Sequence, residues 1–335
     1  MTTTIETRIL GTGAGVPAKV LTNTDLEKIV ATSDAWIAER TGIRARRILE
    51  DGRVTSDLCV EAARNACAQA GIAPSEIDCI IVGTVTPDMP MPATAVYVQQ
   101  KLGARPGGAA FDLSAACAGF VYGLGIGDAL VRNRAFKRIL VVGVEVLSRV
   151  LDWNDRNTCV LFGDAAGAVI IGPGETKPGE RPRGVLSTHM FADGVGADML
   201  FIPGGGSKHP TTAETVAANM HTVKMQGKAV FAHAVRNISA SCEAALAHNG
   251  MTAGDVDLVV AHQANLRIVE AVAQRVGLPM EKFFLNIERY GNTSSASIPV
   301  ALDEAVRAGR VKPGMTLLFC ALGAGFSWGS AMVRW

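Results

Sequence analysis

Gly71-Ile-Ala-Pro-Ser-Glu-Ile-Asp-Cys-Ile-Ile-Val-Gly-Thr84 is echoed later in the chain by Gly250-Met-Thr-Ala-Gly-Asp-Val-Asp-Leu-Val-Val-Ala-His-Gln263. Each copy closes a small-residue helix with glycine, makes a short acidic turn and enters an apolar run through Ile-Asp or Val-Asp. Two copies of one helix–turn–strand unit imply an internal duplication. Around the first copy, strand-like and helix-like patterns alternate: Arg8-Ile-Leu-Gly-Thr-Gly13, a helical pattern from Ser56 to Ala70, then a helix near Ala93 to Leu102. That order is α/β. The continuous β-branched runs 77–82, 139–144 and 256–260 read as strands buried on both faces, so helices must cover both sides of the sheets.

Between the copies lies Gly172-Pro-Gly-Glu-Thr-Lys-Pro-Gly-Glu-Arg-Pro-Arg-Gly184, rich in glycine, proline and charge, which places a division between halves 1–174 and 175–335. Pro203-Gly-Gly-Gly-Ser-Lys-His-Pro210 and the polar stretch to Ala218 read as a long surface loop.

The chain of 335 residues is 48% hydrophobic and 19% charged, with 36 glycines, which suits a tightly packed α/β protein and excludes a disordered or fibrous one. With 32 basic and 31 acidic residues the net charge is +1, so no global field is available to hold nucleic acid or an anionic membrane. The tightest basic cluster, Arg44, Arg46 and Arg47 behind Arg40, is a candidate edge for a phosphate-bearing ligand. Seven widely spaced cysteines without a C-x-x-C pair argue against a disulfide framework or a zinc site and fit a reducing cytoplasm. The N-terminus lacks the features of a signal peptide, and no apolar run approaches the ~18 residues of a spanning helix.

Gly11-Thr-Gly-Ala-Gly15 has its third glycine one residue early for a dinucleotide-binding turn, and Val16-Pro17 follows where a helix should begin. It reads instead as a tight glycine turn after an edge strand. Cys117 stands in Phe111-Asp-Leu-Ser-Ala-Ala-Cys-Ala-Gly-Phe120, where an apolar strand passes through small residues into the helical run 121–131. This resembles a nucleophile elbow: a thiol near a helix N-terminus feels the macrodipole and unpaired N–H groups, which lower its pKa and supply donors to an oxyanion. The other six cysteines read as buried, inert thiols. His262 at a strand exit and Asn292 in a glycine turn are candidate partners, although a satisfied structural histidine and an Asx turn are the alternative readings.

The stretches His262-Gln-Ala-Asn-Leu-Arg-Ile268, Tyr290-Gly-Asn-Thr-Ser-Ser-Ala-Ser-Ile-Pro299, Phe162-Gly-Asp-Ala-Ala-Gly-Ala168 and Phe326-Ser-Trp-Gly-Ser330 closely resemble β-ketoacyl-acyl carrier protein synthase III, from Ile9 to Trp335 and in the expected order. The resemblance implies a duplicated thiolase-like fold, layered α/β/α/β/α with two mixed sheets, and a homodimer. It implies decarboxylative condensation of an acyl-CoA primer with malonyl-acyl carrier protein, without a cofactor. Cys117 corresponds to the acylated nucleophile, His262 and Asn292 to donors on the malonyl thioester carbonyl, and the N–H groups of Cys117 and Ala324 to the oxyanion hole. Trp36, Arg40 and Arg156 match positions that clasp the adenine end of coenzyme A, and Arg267 matches an arginine that receives the acidic carrier protein.

The chemistry accounts for these residue types. Acyl transfer needs a thiolate and a hole for the tetrahedral oxyanion. Loss of carbon dioxide generates the carbanion without a strong base, so the groups required are donors to an enolate oxygen, which a neutral imidazole and an amide supply. The chain departs from the family pattern at Met91, between Pro90 and Pro92, where many members carry Phe at the loop tip that crosses the dimer to floor the partner's acyl pocket. It departs again at Leu322, often Phe, and at Ala232, where a basic residue is usual in the carrier-docking helix. Other readings of the site are a Cys-His-Asn thioester hydrolase, in which Asn orients His, an acyltransferase without decarboxylation, and a non-catalytic carrier-binding partner, against which Cys117 argues.

Overall fold

In a computed structural model that describes residues 5–176 and 180–335, the apolar runs form nine principal strands. They are β1 (Ile5–Gly15), β2 (Cys79–Gly83), β3 (Ala109–Leu113), β4 (Ile139–Glu145), β5 (Ala165–Glu175), β6 (Gly184–Ala192), β7 (Leu258–Ala261), β8 (Thr316–Gly323) and β9 (Ser327–Arg334). The helices that carry the layers and the site are α1 (Asp34–Thr41), α2 (Thr55–Ala70), α3 (Thr94–Leu102), α4 (Gly119–Arg132), α5 (Gly227–His248), α6 (Leu266–Val276) and α7 (Ser297–Arg307).

Two mixed sheets result. The first has the order β1-β5-β4-β2-β3 and the second β7-β8-β9-β6. In both, a parallel pair (β2 with β4, β7 with β8) is followed by two antiparallel pairings. A parallel bridge from Val259 to Phe283 lies where β3 pairs with β2 in the first sheet. The repeated sequence occupies equivalent places: α2, a 3₁₀ turn at Pro74–Glu76 and β2 in one half; α5, a 3₁₀ turn at Ala253–Asp255 and β7 in the other. The fold is a duplicated, thiolase-like α/β architecture.

Alternate residues of the wholly buried strands face different layers. Ile80, Val82, Leu140 and Val142 pack against α2 and α3 on the outside, whereas Ile81 and Val141 pack inward against Phe120 and Leu124 of α4 and Ala301 and Leu302 of α7. The second sheet repeats this, with Val260 and Phe319 inward and Val259, Leu318 and Cys320 against α5 and α6. The layers therefore run α/β/α/β/α, with α4 and α7 in the middle. Strands covered on both faces cannot alternate apolar and polar residues, which is why their sequences are continuously hydrophobic.

Three expectations are corrected. Gly11-Thr-Gly-Ala-Gly15 is part of β1 rather than a turn. A Cβ on Gly11 would stand 2.5 Å from the Ala66 carbonyl oxygen, and Cβ atoms on Gly13 and Gly15 would run into the carbonyls of Ala62 and Leu58, so the glycines let α2 lie directly on the strand. Arg46, in the supposed ligand edge, is fully buried and donates to Leu21 O, Asn23 Oδ1 and Val160 O, while Arg44 pairs with Asp34 and Glu288. The cluster ties loops together. Finally, the stretch read as a surface loop holds an exposed helix, Ala213–Ala217, and is flanked by a short ladder between Leu200–Phe201 and Lys224–Met225. Within the glycine- and proline-rich connection, residues 177–179 lie outside the described residues.

Candidate active site

The carboxyl ends of strands from both sheets meet at one place, as they do at sites in open α/β sheets. After β3 the chain turns through a 3₁₀ segment, Ala116–Ala118, into α4. Ala116 has φ of 45°, a left-handed conformation that costs a non-glycine residue about 1–3 kcal/mol. That kink sets Cys117, 7% exposed, at the mouth of the elbow. His262 follows β7 directly, its N–H held by Cys320 O at 2.8 Å. Asn292 is anchored by its N–H to Leu161 O at 2.8 Å, and its Oδ1 accepts the Ser294 N–H at 2.9 Å. With Oδ1 engaged, the Asn292 Nδ2 donor is the group left for the cavity.

Two cavities join at Cys117. A larger one of about 610 Å³ is lined by Cys117, His262, Asn292 and Leu322 and reaches Arg40 and Arg267. A smaller apolar one of about 240 Å³ is walled by Val85, Leu147, Phe201, Ile202 and Val223, with Cys117, Ser294 and Ala324 at its throat. The Cys117 and Ala324 N–H groups donate to no backbone carbonyl among the described residues, so both remain available to an oxyanion.

Burial dominates the electrostatics. The His262 imidazole is pushed down to about 4, hence neutral at physiological pH, and its Nδ1 is buried without a partner among the described residues. The Cys117 thiol is pushed up to about 12 by burial and by the nearby Glu145 carboxylate, against the Ser294 hydroxyl, which favours the thiolate. The thiol is thus raised rather than lowered as the sequence led one to expect, and the resting sulfur is a thiol.

At the outer end, two guanidinium groups lie over the Trp36 ring, Arg40 at 4.6 Å and Arg156 at 5.0 Å from its centroid, and Arg156 also donates to Ala31 O at 3.2 Å. Arg267 opens α6 half-exposed and is steadied by the Glu39 carbonyl at 3.1 Å. The structure therefore brings Cys117, His262, Asn292 and Ala324 together at the throat and Trp36, Arg40, Arg156 and Arg267 at the rim. Met91 stands apart, 83% exposed on a loop, and Leu322 lies on the larger cavity's wall rather than among the residues lining the smaller pocket.

Sequence reasoning missed Glu145, Ser294 and the wall residues Phe201, Ile202 and Val223. A carboxylate closing the apolar run of β4 was the one available signal for Glu145, and Ser294 lies two residues after Asn292 in a stretch already singled out; nothing local marked the wall residues.

Comparison with known proteins finds relatives over nearly the whole chain. The family model described as 3-oxoacyl-[acyl-carrier-protein (ACP)] synthase III matches residues 111–197, and its C-terminal counterpart matches residues 246–335. The beta-ketoacyl-[acyl-carrier-protein] synthase III of Symbiobacterium thermophilum is 50% identical over 98% of this chain and 97% of its own. That of Caldanaerobacter subterraneus subsp. tengcongensis is 47% identical over 99% and 98%. The crystal structure of the Aquifex aeolicus 3-oxoacyl-[acyl-carrier-protein] synthase III is 43% identical and superposes with a TM-score of 0.88, covering 98% of this chain and all of that one.

Proposed function

The chain belongs to the 3-oxoacyl-[acyl-carrier-protein] synthase III family of condensing acyltransferases, and from that premise we propose how its own residues perform a decarboxylative condensation of an acyl-CoA primer with malonyl-acyl carrier protein. The observation that carries the assignment is the presence of Cys117, His262 and Asn292 on the wall of one cavity.

Cys117 takes the acyl group from the primer thioester, with its own N–H and that of Ala324 receiving the oxyanion. The acyl chain then occupies the smaller pocket. The malonyl thioester enters through the larger cavity, and its carbonyl lies against His262 and Asn292. As carbon dioxide leaves, charge moves onto that oxygen; two neutral donors in a dry site stabilise it, on the order of 3 kcal/mol each. The resulting carbanion attacks the acyl carbon on Cys117 to give the β-ketoacyl product. A neutral imidazole is the appropriate donor, because an imidazolium would protonate the carbanion it is meant to preserve.

The rim serves binding. A purine inserted between Trp36 and one arginine would stack on the indole and present its outer face to that guanidinium, which supports the adenine assignment for Trp36, Arg40 and Arg156. Arg267 offers a half-exposed charge beside the cavity mouth to an acidic carrier. The exposed apolar tip formed by Met89 and Met91 supports a homodimer in which Met91 reaches the partner's acyl pocket. Leu322 is reassigned from the acyl pocket to the wall near His262. The division at 174/175 is supported by the two sheets falling on either side of it, apart from the last residue of β5, Glu175. Seven unpaired cysteines support a reducing, cytoplasmic setting.

The hydrolase reading requires Asn292 to orient His262. Here Asn292 Oδ1 is taken by Ser294, and no hydrogen bond joins Asn292 to His262 among the described residues, which favours condensation. Intact-protein mass spectrometry with a panel of acyl-CoAs, followed by malonyl-acyl carrier protein, tests the whole assignment. A two-carbon-longer β-keto product is expected; release of free acid alone would overturn it.

A further inference from the structure

Glu145 is a carboxylate with no exposed surface at the end of β4, beside the nucleophile, and the reaction as derived above leaves it without a task. It accepts hydrogen bonds from Thr86 Oγ1 at 2.6 Å, Val85 N at 3.1 Å, Thr84 Oγ1 at 3.3 Å and Ser294 Oγ at 3.3 Å. Ser294 is 2% exposed, held at φ of 49°, and lines the same throat as Cys117, whose thiolate its hydroxyl favours. Ser294 therefore shares the throat with the reacting sulfur while its hydroxyl donates to a buried carboxylate.

A hydroxyl has one proton. While Glu145 is ionised, Ser294 donates to it and offers Cys117 only a lone pair, which accepts the S–H. If Glu145 gains a proton it becomes the donor, and the Ser294 proton is free to point at a thiolate. The two states interconvert by moving two protons one hydrogen bond each.

We infer that Cys117, Ser294 and Glu145 form a proton relay for the acylation half-reaction, in which the thiol proton passes to Ser294 Oγ as the Ser294 hydroxyl proton passes to the Glu145 carboxylate. The inference rests on Cys117 being the acylated nucleophile. As the Sγ–H bond breaks, the bond from Sγ to the acyl carbon forms, Ser294 is left a hydroxyl, and Glu145 becomes a carboxylic acid. When the tetrahedral intermediate collapses, the acyl carbon–sulfur bond to coenzyme A breaks with its electron pair on that sulfur. The proton held at Glu145 returns through Ser294 to the departing thiolate. No oxidant, metal or water is consumed.

The surroundings agree with this role. His262, pushed down to about 4, is a poor place to keep a proton at neutral pH, whereas Glu145 is raised by burial to about 7, against the four hydrogen bonds that favour its charge. The buried thiol, up at about 12, keeps its proton until attack begins, so transfer accompanies attack and no thiolate is stored. The ionisable groups whose charge couples to Glu145 are Cys117 and, from α2, Cys59, which burial holds as a thiol. The relay's remaining contacts, Thr84, Thr86 and the Val85 N–H, are neutral.

The test measures rapid-quench acylation of Cys117 by butyryl-CoA, read by intact mass from about pH 5.5 to about pH 9, and separately condensation from pre-acylated enzyme. In the unmodified enzyme the acylation rate should rise through a limb near pH 7 as Glu145 ionises. Ser294→Ala should slow acylation about 10²-fold at neutral pH, with a deficit shrinking roughly tenfold per pH unit as hydroxide takes the proton, while pre-acylated enzyme still condenses. Glu145→Gln should abolish the limb near pH 7, and it decides the matter if Ser294→Ala does not fold. An unchanged rate in Ser294→Ala, a loss equal at every pH, or a limb that persists in Glu145→Gln would overturn the relay. Acyl mass mapping to a residue other than Cys117 in the unmodified enzyme would overturn the functional reading itself.

Discussion

Gly323 lies so close to the nucleophile that a Cβ built on it would stand 2.6 Å from the Cys117 nitrogen and 2.7 Å from the Ala115 carbonyl oxygen. The end of β8 is thus pressed against the elbow, and Ala324, the next residue, is delivered to the throat. Gly323→Ala should displace the oxyanion donors by a few tenths of an ångström or more. Acylation should slow by at least about tenfold, and stability should fall by about 1–3 kcal/mol, measured by rapid-quench mass spectrometry and thermal unfolding. A variant matching the unmodified enzyme in both would show that the contact relaxes freely.

Cys117→Ser should abolish stable acylation by acyl-CoA, because a hydroxyl is far less acidic than a thiol and a far weaker nucleophile. Intact mass after incubation is the measurement, and an acyl adduct gained at the original rate would relocate the nucleophile.

His262→Ala and Asn292→Ala should spare much of the acylation step and slow malonyl decarboxylation on the order of 10²-fold each. The two half-reactions are followed by intact mass and carbon dioxide release. Because His262 is pushed down to about 4, the donor role should hold without change between about pH 6 and 8, and condensation should decline only as the imidazole charges at lower pH. Full condensation by Asn292→Ala would identify a different donor pair.

Trp36→Ala removes the platform that both Arg40 and Arg156 cover. The KM for acyl-CoA should rise about three- to tenfold with kcat nearly unchanged, since the ring is remote from the reacting carbon. A fall in kcat at constant KM would count against an adenine site.

Met91→Phe should shift preference toward acetyl-CoA if this loop floors the partner's pocket, because a rigid ring cannot swing aside as a thioether does. The comparison is kcat/KM for acetyl-, butyryl-, hexanoyl- and octanoyl-CoA in both proteins. An unchanged ratio, with Met91 still exposed in solution by oxidation footprinting, would place pocket depth under Phe201, Ile202 and Val223 alone.

Much of the fold was legible because its signals are local. Buried strands such as 77–82 and 139–144 are continuously apolar, and the Gly-turn-Asp-strand spelling at 71–84 and 250–263 marks one unit used twice. Cys117 was visible for the same reason: its small-residue turn lies between a strand and a helix contiguous in sequence. Where a local pattern has two physical meanings, reading it failed. Gly11-Thr-Gly-Ala-Gly15 looked like a turn because glycine permits one, yet here glycine permits a helix to lie against a strand.

The amino-acid order by itself determined the layered α/β class, the duplication and the residue types available for thioester chemistry, since periodicity and motif spacing are properties of neighbours along the chain. Only the tertiary structure decided which of those residues meet and in what electrical surroundings. Ser294 and Glu145 are 149 positions apart, Arg46 and Val160 are 114 apart, and no pattern in either segment announces its partner. The protonation of Cys117 and His262 was likewise decided by packing, because desolvation depends on everything that closes around a group.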